Sequence, residues 1–144
     1  MSADRFVLDS GVAIAWFFPE TEKERLYAAS VLRLIADGAR AHVPLQFHIE
    51  LAAFLMRRRR TPSAHFGKAR LEAALADIDD LGISTIVSPA SYRQIVEWSQ
   101  LYYVQAKDAP FVRLAHQEGL SLAAIDSGQR RAAERFGIAL VGFH

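Results

Sequence analysis

Leu120-Ser121-Leu122-Ala123-Ala124-Ile125-Asp126-Ser127-Gly128 is the stretch on which the fold turns. A largely apolar run leads straight into an acid and two small residues, and a helical pattern follows over 129–136. A strand buried on both faces of a parallel sheet reads this way, because neither face needs polar alternation. Near the start of the chain, Phe6-Val7-Leu8-Asp9-Ser10 repeats the arrangement of apolar strand, carboxylate and serine. Three further short apolar segments, at 41–43, 83–87 and 138–141, bring the strand candidates to five.

Helical patterns separate these segments. Over 22–36, Ala28, Val31, Leu32 and Ile35 fall at i, i+3, i+4, i+7, the spacing of an amphipathic helix, and Asp37-Gly38 stops it. After Val43-Pro44 a helix carries Phe47, Leu51, Phe54 and Leu55 on one face and ends in Arg57-Arg58-Arg59-Arg60, a sign of charge that suits a helix carbonyl end. Further helices are expected over 12–18 up to Pro19, over 65–76 after the polar break Thr61-Pro62-Ser63, from Pro89 to 103, and over 109–118. Strands alternating with helices specify an α/β sandwich around a mainly parallel sheet.

At 144 residues and 51% hydrophobic, the chain suits one domain over 1–144 with one substantial core. A net charge of +1, from 17 Lys+Arg against 16 Asp+Glu, does not by itself mark a nucleic-acid binder. The chain contains no cysteine, which excludes disulfides and thiolate metal sites and fits a reducing compartment; a cytoplasmic location is expected. Met1-Ser2-Ala3-Asp4-Arg5 lacks the apolar stretch of a signal peptide, and no run approaches the roughly 18 apolar residues of a membrane span, so no membrane association is expected.

Four carboxylates, Asp9, Glu50, Asp108 and Asp126, each stand beside apolar sequence. Asp9, Asp108 and Asp126 each precede a helix, and capping accounts for any one of them taken singly. Glu50 lies inside a helix, three residues after Phe47 and four before Phe54, on the border of the apolar face, where a partly buried acid needs a partner. If the four surround one pocket, their mutual repulsion calls for protonation or a cation, and hard oxygen donors suit Mg²⁺ or Mn²⁺. Cation binding with activation of water and polarisation of a phosphoryl oxygen is the simplest chemistry for such a set, which points to phosphodiester hydrolysis. No H-E-x-x-H, Walker-type or G-x-G-x-x-G motif occurs.

Phe6-Val7-Leu8-Asp9, Val43-Pro44 followed by Glu50-Leu51-Ala52, Lys107-Asp108-Ala109-Pro110-Phe111 and Leu122-Ala123-Ala124-Ile125-Asp126 resemble the motifs of PIN domains, and of VapC-type toxins in particular. The resemblance implies a three-layer α/β/α sandwich with a central, mainly parallel five-stranded sheet. It also implies a Mg²⁺- or Mn²⁺-dependent endoribonuclease in which Asp9, Glu50, Asp108 and Asp126 bind metal and carry catalysis. RNA would be the substrate, a small cognate antitoxin the partner, a homodimer the assembly, and DNA would be met only through the antitoxin. The chain departs from the family at three places. Gly11 stands where Ser or Asn is common two positions after the first acid, Ala124 where Thr is common two before the last, and Lys107 where Tyr is common before the third.

Ser10 and Ser127 are candidates for orienting the carboxylates or water, with helix capping as the competing role. Arg57, Arg58, Arg59 and Arg60 are candidate RNA contacts, since guanidinium binds phosphate in a bidentate way, although a charge run also serves as a solvated helix end. The competing functions are a catalytically degenerate PIN-like module that binds nucleic acid or protein, and a phosphorylated signalling domain or phosphatase with Asp9 as acceptor. The latter leaves Glu50 without a role.

Overall fold

A computed structural model describes residues 4–142 of the chain. Phe6, Val7 and Leu8 of strand β1 (Arg5–Leu8) have no exposed surface, and a strand without a polar face belongs in the middle of a covered sheet. It pairs in parallel with β2 (Arg40–Val43) on one side. Outside β2 lies β3 (Ser84–Thr85), also parallel, and on the other side of β1 lies β4 (Ser121–Ala123). The order is β3-β2-β1-β4, so the chain steps outward from β1 to β3 and then returns across the sheet. The direction of winding reverses between β1 and β4, and at such a switch point a crevice opens at the carboxyl ends of the strands.

Helices α1 (Ser10–Ala15), α2 (Glu22–Ala36), α3 (Leu45–Arg59) and α4 (Lys68–Asp79) lie in the outward crossovers. Helices α5 (Tyr92–Tyr102) and α6 (Ala109–Glu118) make the return, and α7 (Ser127–Arg135) follows β4. Right-handed crossovers put the two sets on opposite faces. The packing agrees: α1 lies against α2 and α3, and α3 against α4, whereas α6 lies against α5, α7, β1 and β4. Among the described residues no helix is long and apolar enough to cross a membrane.

Among the described residues the sheet has four strands, which corrects the expected five. The last segment makes one parallel bridge, Leu122 to Leu140, in which Leu122 N donates to Ala139 O at 2.8 Å and Leu122 O accepts from Val141 N at 2.9 Å. Backbone groups of a strand face its two neighbours alternately, so the next carbonyl on that edge belongs to Ala124. Arg130 Nη1 takes it at 2.8 Å, so among the described residues the pairing on that edge stays a single bridge.

Two helices also start later than their sequence pattern suggests. The chain passes through a 3-10 turn (Pro62–Ala64) and His65 turns left-handed at φ 51, so α4 begins only at Lys68. Pro89 does not open α5. Ser91 does, through a capping box in which its side chain accepts from Gln94 N at 3.3 Å while Gln94 Oε1 accepts from Ser91 N at 2.9 Å.

Candidate active site

Asp9 follows β1 directly and caps α1, its Oδ2 accepting from Gly11 N at 3.0 Å. Asp126 follows β4 and caps α7, its Oδ2 accepting from Gln129 N at 3.0 Å. Capping and convergence are therefore compatible, because each capping bond uses one lone pair and the carboxylate keeps others for the crevice. Asp108 stands at the cap position of α6 but makes no capping bond, even though it is buried. Glu50 projects from α3, and Ser10 Oγ donates to its Oε1 at 2.8 Å, joining α1 to α3.

These four acids line one pocket of about 520 Å³. Its wall also holds Ser10, Lys107, Arg57, Arg58 and Gln129, with Glu20 and Glu24 among the remaining lining residues. Six carboxylates thus face three basic side chains in one concavity. Burial is the first cause of the shifts in this pocket, and the neighbouring acids add to it. Desolvation, opposed by bonds from Gln129 and Gly11 and reinforced by the charges of Asp108 and Glu50, lifts the Asp9 carboxyl from 3.8 to about 7. Burial likewise raises Glu50, against the Ser10 bond and the Lys107 charge, and raises Asp108, against Lys107 and with the help of Asp126.

Three carboxyls pushed towards their neutral form, chiefly by burial, are a donor set that gains from a cation, since positive charge stabilises the ionised form that burial disfavours. All the donors are hard oxygens, which fit Mg²⁺ or Mn²⁺. Among the described residues no three His, Asp or Glu side chains close around one point.

Of the other sequence candidates, the structure brings Ser10, Arg57 and Arg58 to the pocket. Ser127, Arg59 and Arg60 are exposed and do not line it. Arg58 is braced at the rim, its guanidinium carbon 4.8 Å from the Phe18 ring centre and 5.1 Å from that of Phe54. Arg57 lies 5.7 Å from the Phe54 ring centre. Sequence reasoning missed Gln129, whose Nε2 donates to Asp9 Oδ1 at 3.0 Å. The available signal was its place at the head of the buried stripe Gln129, Ala132, Ala133, where a polar side chain calls for a partner.

The sequence profile described as PIN domain matches residues 6–135. Among solved structures, the chain is similar to the crystal structure of PAE2754 from Pyrobaculum aerophilum. That match has a TM-score of 0.65 at 14% identity and covers 95% of this chain and 83% of the other. It is also similar to the crystal structure of FitAcB from Neisseria gonorrhoeae, with a TM-score of 0.57 at 18% identity, covering 95% of this chain and 96% of the other. At such identities the likeness is one of fold. No curated protein sequence matches the chain.

Proposed function

Because the chain belongs to the PIN-domain family, whose members are typically nucleases that use divalent metal ions, we propose that it is a Mg²⁺- or Mn²⁺-dependent endoribonuclease that hydrolyses RNA phosphodiester bonds. The observation that carries this reading is the meeting of Asp9, Glu50, Asp108 and Asp126, from four separate elements, in one pocket with Arg57, Arg58 and Lys107. Asp9, Glu50, Asp108 and Asp126 hold the cation, directly or through water. When bound, the cation supplies polarisation of a phosphoryl oxygen and a lowered pKa for water. Ser10 holds Glu50 in place, and Lys107, beside Asp108, offers a point charge to a phosphate. The motif resemblance supports a narrower role: the toxin of a VapBC-type pair, acting in the cytoplasm as a homodimer, restrained by a small cognate antitoxin and meeting DNA only through it.

The deciding experiment incubates purified, partner-free protein with total cellular RNA in Mg²⁺ or Mn²⁺, beside EDTA and Asp126→Asn controls. Discrete products that vanish in both controls are expected. A second reading, a degenerate binding module, draws on two observations. Among the described residues the acids do not close around one point, and positions 11 and 124 carry no polar side chain. RNA binding by folded protein without cleavage in either metal would favour that module.

Arg57 and Arg58 receive phosphate in this reading. Replacing both with Ala weakens RNA binding about tenfold or more, as loss of charged hydrogen bonds does. The slope of log affinity against log salt falls by about 0.7 for each phosphate contact removed. A salt series on the double variant measures this, and an unchanged slope removes these arginines from the RNA path.

A further inference from the structure

Gln129 contacts the acidic pocket in more than one way. Its side chain is 1% exposed, and its Nε2 donates to Asp9 Oδ1 at 3.0 Å across the crevice between β1 and α7. Its backbone N–H donates to Asp126 Oδ2 at 3.0 Å. One residue thus hydrogen-bonds two of the four acids. Asp9 is consequently held at both oxygens, by Gln129 at Oδ1 and by the backbone of Gly11 at Oδ2, which fixes the plane of the carboxylate.

The other side of Asp9 cannot supply a side-chain donor in this arrangement. Position 11 is glycine, and a Cβ there would stand 2.9 Å from Asp9 Oδ2, closer than the carboxylate tolerates where it lies. Orientation through a side chain therefore has to come from across the pocket. Gln129 also bears a cost that packing alone does not explain. Its Oε1 is buried and has no hydrogen-bond partner among the described residues, and its α7 neighbours on the buried stripe are Ala132 and Ala133. An apolar side chain of equal length would fill the space without an orphaned acceptor.

We propose that Gln129 is a positioning residue for the metal centre: it fixes the Asp9 carboxylate in the orientation that receives a divalent cation, doing from α7 what no side chain at position 11 does. This rests on the reading of the four acids as a metal site. Hydrogen bonds to a ligand carboxylate tune affinity because they pre-set its geometry, and losing one typically weakens metal binding about tenfold to a hundredfold.

The test is calorimetric titration of Mn²⁺ into metal-free wild type, Gln129→Met and Gln129→Leu, with thermal unfolding of each in EDTA. The expected result is a Mn²⁺ dissociation constant raised about tenfold or more in both variants. The metal-free melting temperature should stay close to that of the wild type, because removal of the orphaned oxygen offsets loss of the bond to Asp9. Cleavage by the variants then recovers as Mn²⁺ is increased. Wild type that binds no Mn²⁺ sinks the metal-site reading itself. Wild type and variants that bind Mn²⁺ equally well overturn the role of Gln129 alone, and so does a failure of both variants to fold, which would make it a packing residue.

Discussion

Asp9→Asn abolishes metal-dependent cleavage and, in EDTA at pH 8, raises the melting temperature of the protein. The two effects have one origin. Burial is the largest cause that lifts the Asp9 carboxyl from 3.8 to about 7. A carboxyl raised on folding contributes stability that is fully present below about pH 3.8 and is lost as pH rises through about 7. At pH 8 the metal-free fold therefore carries the whole cost of an ionised, desolvated acid. The interval corresponds to a ceiling of roughly 4 kcal/mol, which relaxation of the pocket reduces. Asparagine keeps the capping oxygen for Gly11 N and removes the charge. Its amide can donate to Gln129 Oε1 once the Gln129 amide turns over, which keeps the bond across the crevice without a charge. Thermal unfolding from pH 4 to pH 8 should show the gain of the variant growing with pH, to at most about 10 °C. A variant that melts no higher than wild type at pH 8 would show that the charge is not costly where it lies.

Phe111→Ala works in the opposite direction. Phe111 has no exposed surface and sits in the first turn of α6, the helix that packs on β1 and β4 and begins directly after Asp108. Truncation leaves a cavity between helix and sheet and costs about 3–5 kcal/mol, a large part of the roughly 5–15 kcal/mol that holds a domain together. Urea unfolding should show a lower midpoint with little change in slope. Cleavage by the folded fraction falls as well, since Asp108 takes its place from the start of this helix. Comparison of the two variants separates pocket from scaffold: one loses activity while gaining stability, and the other loses both.

The sequence placed the parallel sheet and the acids at its carboxyl ends because those features are local. Phe6-Val7-Leu8 has no polar face, and an acid that ends such a strand lies by geometry at the rim. Glu50 was legible from helical spacing alone. A fifth strand was expected because Ile138 to Val141 has strand-like residues, whereas among the described residues this segment makes one bridge and Ala124 O is bound by Arg130, a contact that no local pattern encodes. Gln129 escaped for the same reason: its partner Asp9 is 120 residues away. Arg57 and Arg58 were separable from Arg59 and Arg60 only once the direction of the helix face was known.

Both margins of the sheet are short. Two residues of β3 form one border, and among the described residues a single bridge at Leu140 closes the other. Long exposed borders are templates on which a second chain can extend a sheet, and they make a protein prone to polymerise. Here a passing strand finds too few unpaired backbone groups in line to register against. Short margins of this kind guard a molecule against fibre growth along the sheet.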